Sequence, residues 1–190
     1  MTAEISLSGH DRLMVGLSWD HNEEELFNEL QVHDLDLSCA VFAKDGSFMD
    51  LITPQSPLRE KYKHMIFHGG DHMSGSADFE DESVVINFEN AADSIGCVAV
   101  LVNTKDRTRI WKVKNATLGY HDGVTLNEIY KTDLRAADMA AEATKQNRDG
   151  YFLAGMIKES GAGHWDLQPV EKFLDNPDTD LLAEEIKNYL

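Results

Sequence analysis

The 190-residue sequence predicts an all-β fold, a β-sandwich of two mostly antiparallel sheets with short peripheral helices. Three observations carry that expectation. Apolar and polar residues alternate over several short runs, the period-2 pattern of strands with one buried face. Turn residues separate those runs, and strands do not alternate with long helical segments as they do in parallel α/β folds. One run, residues 95–103 (IGCVAVLVN), is apolar on both faces, as a central strand between two covering layers must be.

Taken in order, residues 12–19 (RLMVGLSW) place Leu13, Val15, Leu17 and Trp19 on one side of a first strand. Residues 34–42 (DLDLSCAVF) alternate more sharply: Leu35, Leu37, Cys39 and Val41 face one way, and Asp34, Asp36 and Ser38 face a wetter side. Lys44-Asp45-Gly46 reads as a hairpin turn into a short strand at 47–52. Further strands are expected at 64–67, 83–88, 95–103, 108–118, 128–134, 151–157 and 164–170. Two segments read as helices. Residues 135–146 (RAADMAAEATKQ) are rich in alanine and other good helix formers, with Asn147 and Gly150 as a stop. Residues 178–190 follow Pro177 and carry Leu181, Leu182, Ile186, Tyr189 and Leu190 largely on one stripe. At about 150 residues per domain, this amounts to one body over 1–174 with a C-terminal amphipathic helix, 175–190, packed on it.

Thirty-four acidic against seventeen basic residues give a formal charge of −17. Such a chain repels phosphate backbones and anionic membranes, so neither nucleic-acid binding nor direct membrane insertion is expected. Cations are the natural small partners, unless the carboxylates serve solubility alone. Cys39 and Cys97 each lie inside an apolar run and form neither a disulfide framework nor a thiolate metal motif. Free buried thiols suit a reducing cytosol. The opening MTAEISLSGHDR has no signal-peptide architecture, and no apolar stretch reaches the roughly 18 residues of a spanning helix. A cytoplasmic protein is expected.

Candidate chemistry concentrates in the glycine- and acid-rich segment 68–82, HGGDHMSGSADFEDE, where Asp78, Glu80, Asp81 and Glu82 fall within five residues. Carboxylates this close repel one another, and a hard dication relieves that repulsion. Calcium takes roughly six to eight oxygen ligands in flexible geometry, which a glycine-rich loop can supply. Asp34 and Asp36, two apart on a strand, project from one face and could share an ion. The segment is not an EF-hand loop, since its glycine and glutamate fall in the wrong register. Spacing alone leaves open a calcium site or a solvated acidic loop beside an acidic strand edge. His64, His68 and His72 share a spacing of four that would suit zinc on a helix, but Gly69 and Gly70 break any helix there. Ser18, Ser38 and Ser74 sit in no nucleophile elbow, and no phosphate-cradling or dinucleotide motif occurs, so no enzyme is expected.

Three segments together resemble the TerD family. VGLSWD (15–20) is similar to that family's VGLGWD element, and HDLDLSCAVF (33–42) to its D-x-D-x-S-A strand. HGGDHMSGSADFEDE matches without a gap the pattern H-T-G-D-N-x-T-G-x-G-x-G-D-D-E. The resemblance runs from about residue 4 to residue 170. It implies a calcium-binding β-sandwich without a catalytic centre, from bacterial systems of tellurite and chemical-stress resistance. Asp34 and Asp36 fall on the family's strand aspartates, Asp71 on the aspartate of GDN, and Asp81 and Glu82 on the end of DDE, with Glu80 replacing its first aspartate. With Asp78 these form the expected calcium ligand set: Asp34, Asp36, Asp71, Asp78, Glu80, Asp81 and Glu82. His72 in place of asparagine, and Ser76, Ala77 and Phe79 in place of the family's residues, bear on whether both of two neighbouring ion sites survive. Expected partners are calcium ions and other Ter-type proteins at the membrane. The alternative is a protein-protein interaction scaffold of a stress-response complex with a degenerate or empty metal site.

Overall fold

A computed structural model of the protein describes residues 3–20, 25–26, 29–30, 33–57, 61–71, 80–105, 110, 113–134, 150–161, 163–174 and 178–190. The strands are β1 (Ile5–Ser6), β2 (Arg12–Asp20), β3 (Glu25–Leu26), β4 (Glu29–Leu30), β5 (Leu35–Ala43), β6 (Phe48–Ile52) and β7 (Ile66–His68). They continue as β8 (Glu82–Asn87), β9 (Ile95–Thr104), β10 (Lys114–Asp122), β11 (Glu128–Asp133), β12 (Tyr151–Gly161) and β13 (His164–Leu174). An α-helix, α1 (Thr179–Ile186), follows β13 and runs into a 3-10 turn at Lys187–Tyr189.

A six-stranded sheet has the order β1-β13-β12-β9-β5-β6, a five-stranded sheet the order β11-β10-β2-β8-β7, and β3 and β4 form a separate hairpin. Every strand pairing among the described residues is antiparallel. The two large sheets close on one core in which Leu13, Val15, Leu17 and Trp19 of β2 meet Leu35, Leu37, Cys39 and Val41 of β5 and Val98, Val100 and Val102 of β9. These are the residues that the period-2 alternation assigns to the buried side. Each fully buried aliphatic side chain contributes about 1.5–3 kcal/mol.

A second apolar cluster lies on the far face of the six-stranded sheet, where Ala40, Phe42, Cys97, Ala99, Leu101, Leu153 and Met156 are covered by Leu182, Ala183 and Ile186 of α1. β9 is therefore buried on both faces, which explains its unbroken apolar run. Asp178 caps α1 by accepting from the backbone N–H groups of Asp180 (3.1 Å) and Leu181 (3.2 Å). Lys158 of β12 donates to the backbone carbonyls of Tyr189 (2.6 Å) and Leu190 (3.1 Å), holding the last turn against the sheet. No helix among the described residues is long and apolar enough to cross a membrane.

Several expectations shift. Asp36 and Ser38 are buried, so the second face of β5 is not wet. Alternation reports that two faces differ, not that the polar one meets water. The strand expected at 108–118 starts at Lys114 and runs to Asp122. The stripe of α1 is narrower than expected, since Leu181 is 56% exposed and Leu190 is exposed as well. β1 was not expected, because two residues carry no readable period. The helix expected at 135–146 lies outside the described residues.

Candidate metal centre

The site grows from an open edge. β6 pairs with β5 only from Cys39 to Phe42, so Leu35–Leu37 extend past the end of their neighbour. Buried backbone groups at such an edge need partners, and side chains from the other sheet supply them. Glu82, the first residue of β8, accepts from the backbone N–H of Leu37 at 2.7 Å. His68, the last residue of β7, donates from Nε2 to the Leu37 carbonyl at 2.7 Å. Its Nδ1 accepts from the N–H of Gly70 at 3.0 Å, which fixes the neutral tautomer. Burial lowers the His68 pKa, in keeping with that state.

Asp81 continues the ladder between β2 and the chain entering β8. Its carboxylate accepts from the Trp19 N–H at 2.9 Å, and its own N–H donates to Leu17 O at 2.9 Å. The Trp19 indole donates to His33 O at 3.0 Å, tying the same corner to the start of β5. Glu80 lies on the outer face of the five-stranded sheet above Gly16, and the His121 ring lies over its cross-strand partner Gly119. A Cβ at Gly16 would stand 2.7 Å from Glu80 Oε1, so glycine is what leaves room for the carboxylate. Ser18 Oγ donates to Glu80 Oε2, and His121 Nε2 stands 3.3 Å from Glu80 Oε1.

The remaining acids converge. Gly70, with φ at +101°, turns the chain after β7 in a conformation that L side chains rarely adopt. That turn leads to Asp71. Carboxylate oxygens of Asp34, Asp36 and Asp71 all lie within 4.8 Å of one another, a group of three metal-type ligands among the described residues. Asp36 is only 6% exposed, and both of its oxygens are 3.4 Å from Gln55 Nε2. Lys105, just past the end of β9, places Nζ 2.9 Å from Asp71 Oδ2 and 3.4 Å from Asp34 Oδ2. Burial, with the Asp34 charge second, pushes the Asp36 carboxyl up to about 6, and Lys105 and Gln55 partly oppose the rise. The hydrogen bond to Asp71 raises the Lys105 ammonium above its ordinary value. Burial and the Asp36 charge also raise the Tyr151 phenol.

The expected ligand set thus divides. Asp34, Asp36 and Asp71 meet; Glu80, Asp81 and Glu82 carry the structural hydrogen bonds just described; Asp78 lies outside the described residues. The histidine alternative does not assemble among the described residues. His64 is exposed, both ring nitrogens of buried His68 are engaged, and His72 lies outside them. Lys105 and Gln55 escaped the sequence reading, since both reach the trio through chain pairing that a single sequence does not display. The donors of the trio are all hard carboxylate oxygens, without sulfur or nitrogen. That set fits calcium or a similar hard dication and not a soft transition metal. The high value of Asp36 marks a buried charge that its present neighbours do not fully compensate.

Comparison with known proteins bears on the whole chain. The TerD domain family profile matches residues 2–145. The chain is similar to the uncharacterized protein YceE of Bacillus subtilis (strain 168), with 27% identity over 133 residues, 66% of this chain and 67% of that protein. It is also similar to general stress protein 16U of the same organism, with 26% identity over 160 residues, 77% of this chain and 80% of that one. Among solved structures, a homologue of the telluride resistance protein TerD from Streptomyces coelicolor A3(2) shares the fold. Its TM-score is 0.70 at 18% identity, covering 94% of this chain and 98% of that chain.

Proposed function

Because the chain belongs to the TerD domain family, we propose that it is a calcium-binding, non-catalytic domain of a bacterial tellurite and chemical-stress resistance system, acting in the cytoplasm. The observation that carries this reading is the convergence of Asp34, Asp36 and Asp71, with Asp36 buried and pushed up to about 6. Three carboxylates brought together from two parts of the chain are costly to hold together, and a dication offsets that cost. Two similar proteins, a general stress protein and a telluride-resistance homologue, support the stress context.

In this reading Asp34, Asp36 and Asp71 form the heart of the ligand set. Asp78, Glu80, Asp81 and Glu82 belong to the same or a neighbouring ion, and each of the last three already commits one carboxylate oxygen to a hydrogen bond within the chain. Bound calcium would supply positive charge that ties the chain after β7 to the start of β5. Its removal loosens that junction and alters the surface shown to partners, which we expect to be other Ter-type proteins.

Calorimetric titration of chelator-stripped protein with calcium, with magnesium as control, tests the assignment. Saturable binding is expected, with a raised melting temperature, because a ligand that binds only the native state stabilises it. Asp36→Asn combined with Asp71→Asn should abolish the heat of binding while the fold persists. Unchanged affinity in that variant would sink the assignment. A second reading, an interaction scaffold with a vacated metal function, draws on one observation: the Lys105 ammonium already answers part of the charge of the trio. A scaffold keeps its melting temperature and its partners in chelator, and a calcium-dependent domain loses both.

A further inference from the structure

We propose that Lys105 is a tethered counter-cation that calcium must displace, so that this one side chain sets the calcium concentration at which the site fills. The inference rests on the calcium reading of Asp34, Asp36 and Asp71 and concerns how that site is regulated. Its ground is the position of Lys105. The backbone N–H of Lys105 donates to the carbonyl of Asp34 at 3.0 Å, which fixes the base of the side chain beside the trio. From that base the ammonium reaches Asp71 Oδ2 at 2.9 Å and Asp34 Oδ2 at 3.4 Å. Those two aspartates are also expected ligands, so the ammonium stands on two of the three carboxylates that an ion would share.

Simultaneous occupancy is unfavourable. Calcium binds oxygen at about 2.3–2.6 Å, so an ion on the same carboxylates would stand about 4–5 Å from an ammonium left in place. At that separation the repulsion between a dication and an ammonium is substantial at any dielectric appropriate to a protein edge. The way out is open: the Lys105 side chain is 42% exposed, and its long flexible stem can turn into water without disturbing the core. Asp36, the buried member of the trio, meets Gln55 in the hydrogen bonds described for it and stays in position when the lysine leaves. The result is a site that is charge-compensated at low calcium and exchanges one cation for another as calcium rises.

The test compares the unaltered chain with Lys105→Gln and Lys105→Arg by calorimetry, using calcium chloride alone as the ligand. Lys105→Gln should tighten calcium binding by about tenfold or more, because the competing charge is gone. Lys105→Arg keeps the charge and should stay within about threefold of the unaltered chain. Removing any nearby cation strengthens the field for calcium, so a second measurement follows the lysine itself. In the unaltered chain, acylation of Lys105 by an amine-reactive reagent at fixed pH, read by mass spectrometry, should accelerate several-fold once calcium saturates the site. If Lys105→Gln binds with unchanged affinity, or acylation does not accelerate, the displacement idea is wrong and the calcium site stands. If neither the unaltered chain nor Lys105→Gln binds millimolar calcium while both melt cooperatively, the calcium reading fails and this inference falls with it.

Discussion

At the scale of single residues, Asp36 shows how position alters an ordinary group. Burial and the Asp34 charge lift its carboxyl from 3.8 to about 6. A group whose folded value exceeds its unfolded value holds its proton more tightly in the native state. Its destabilising effect is therefore fully present above pH 6 and fades as the pH falls towards 3.8. In calcium-free protein Asp36→Asn should raise stability by ~1–3 kcal/mol near neutral pH, with the gain vanishing by about pH 4. Thermal melts across that range decide it, and a gain independent of pH would contradict the account. Tyr120 offers a second test. Its hydroxyl is fully buried and makes no hydrogen bond among the described residues, so Tyr120→Phe should be neutral or stabilising in a urea melt. Glu82→Ala should instead cost about 1–3 kcal/mol in the same assay, since it leaves the buried Leu37 N–H unpaired. Of these roles, only the pairing of Asp34 with Asp36 follows from local spacing. Asp71 came from the family resemblance, and the partners Lys105 and Gln55 depend on which strands lie side by side.

At the scale of elements, the period of a strand identifies its inward residues but not what covers the opposite face. The alternation in β2 and β5 correctly places Leu13, Val15, Leu17, Leu35, Leu37 and Val41 in the inter-sheet core. It misjudges Asp36 and Ser38, which are buried, on the strand face whose Ala40 and Phe42 are covered by α1. The helix shows the same limit in another form. Five apolar residues suggest a broad stripe, yet Leu181 is exposed, and the contact with the sheet is made by Leu182, Ala183 and Ile186 with Tyr189 partly buried beside them. Ile186→Ala should accordingly cost about 2–4 kcal/mol, and Leu181→Ala no more than about 0.5 kcal/mol. Asp178→Ala should cost about 1 kcal/mol through loss of the cap. Equilibrium denaturation of the three variants checks the ranking, and equal costs for Ile186 and Leu181 would refute this docking of the helix.

At the scale of the whole molecule, a formal charge of −17 means that folding works against its own electrostatic field. Moderate sodium chloride should therefore raise the melting temperature of the calcium-free protein by screening that repulsion, which a salt series measures directly. β9 sets the opposite tendency. Its central residues have a core on one side and the α1 cluster on the other, and its backbone is paired with β5 and β12. Amide hydrogens in such a strand exchange with deuterium only when the entire domain opens, so those from Val98 to Leu101 should be the last to do so. Lys105 and the Asp34 carbonyl to which its backbone is bonded adjoin the end of this slowest-exchanging strand. A cation that arrives there meets a frame already ordered on the Asp34 side, so the binding free energy consumed in organising the chain goes to the Asp71 side alone.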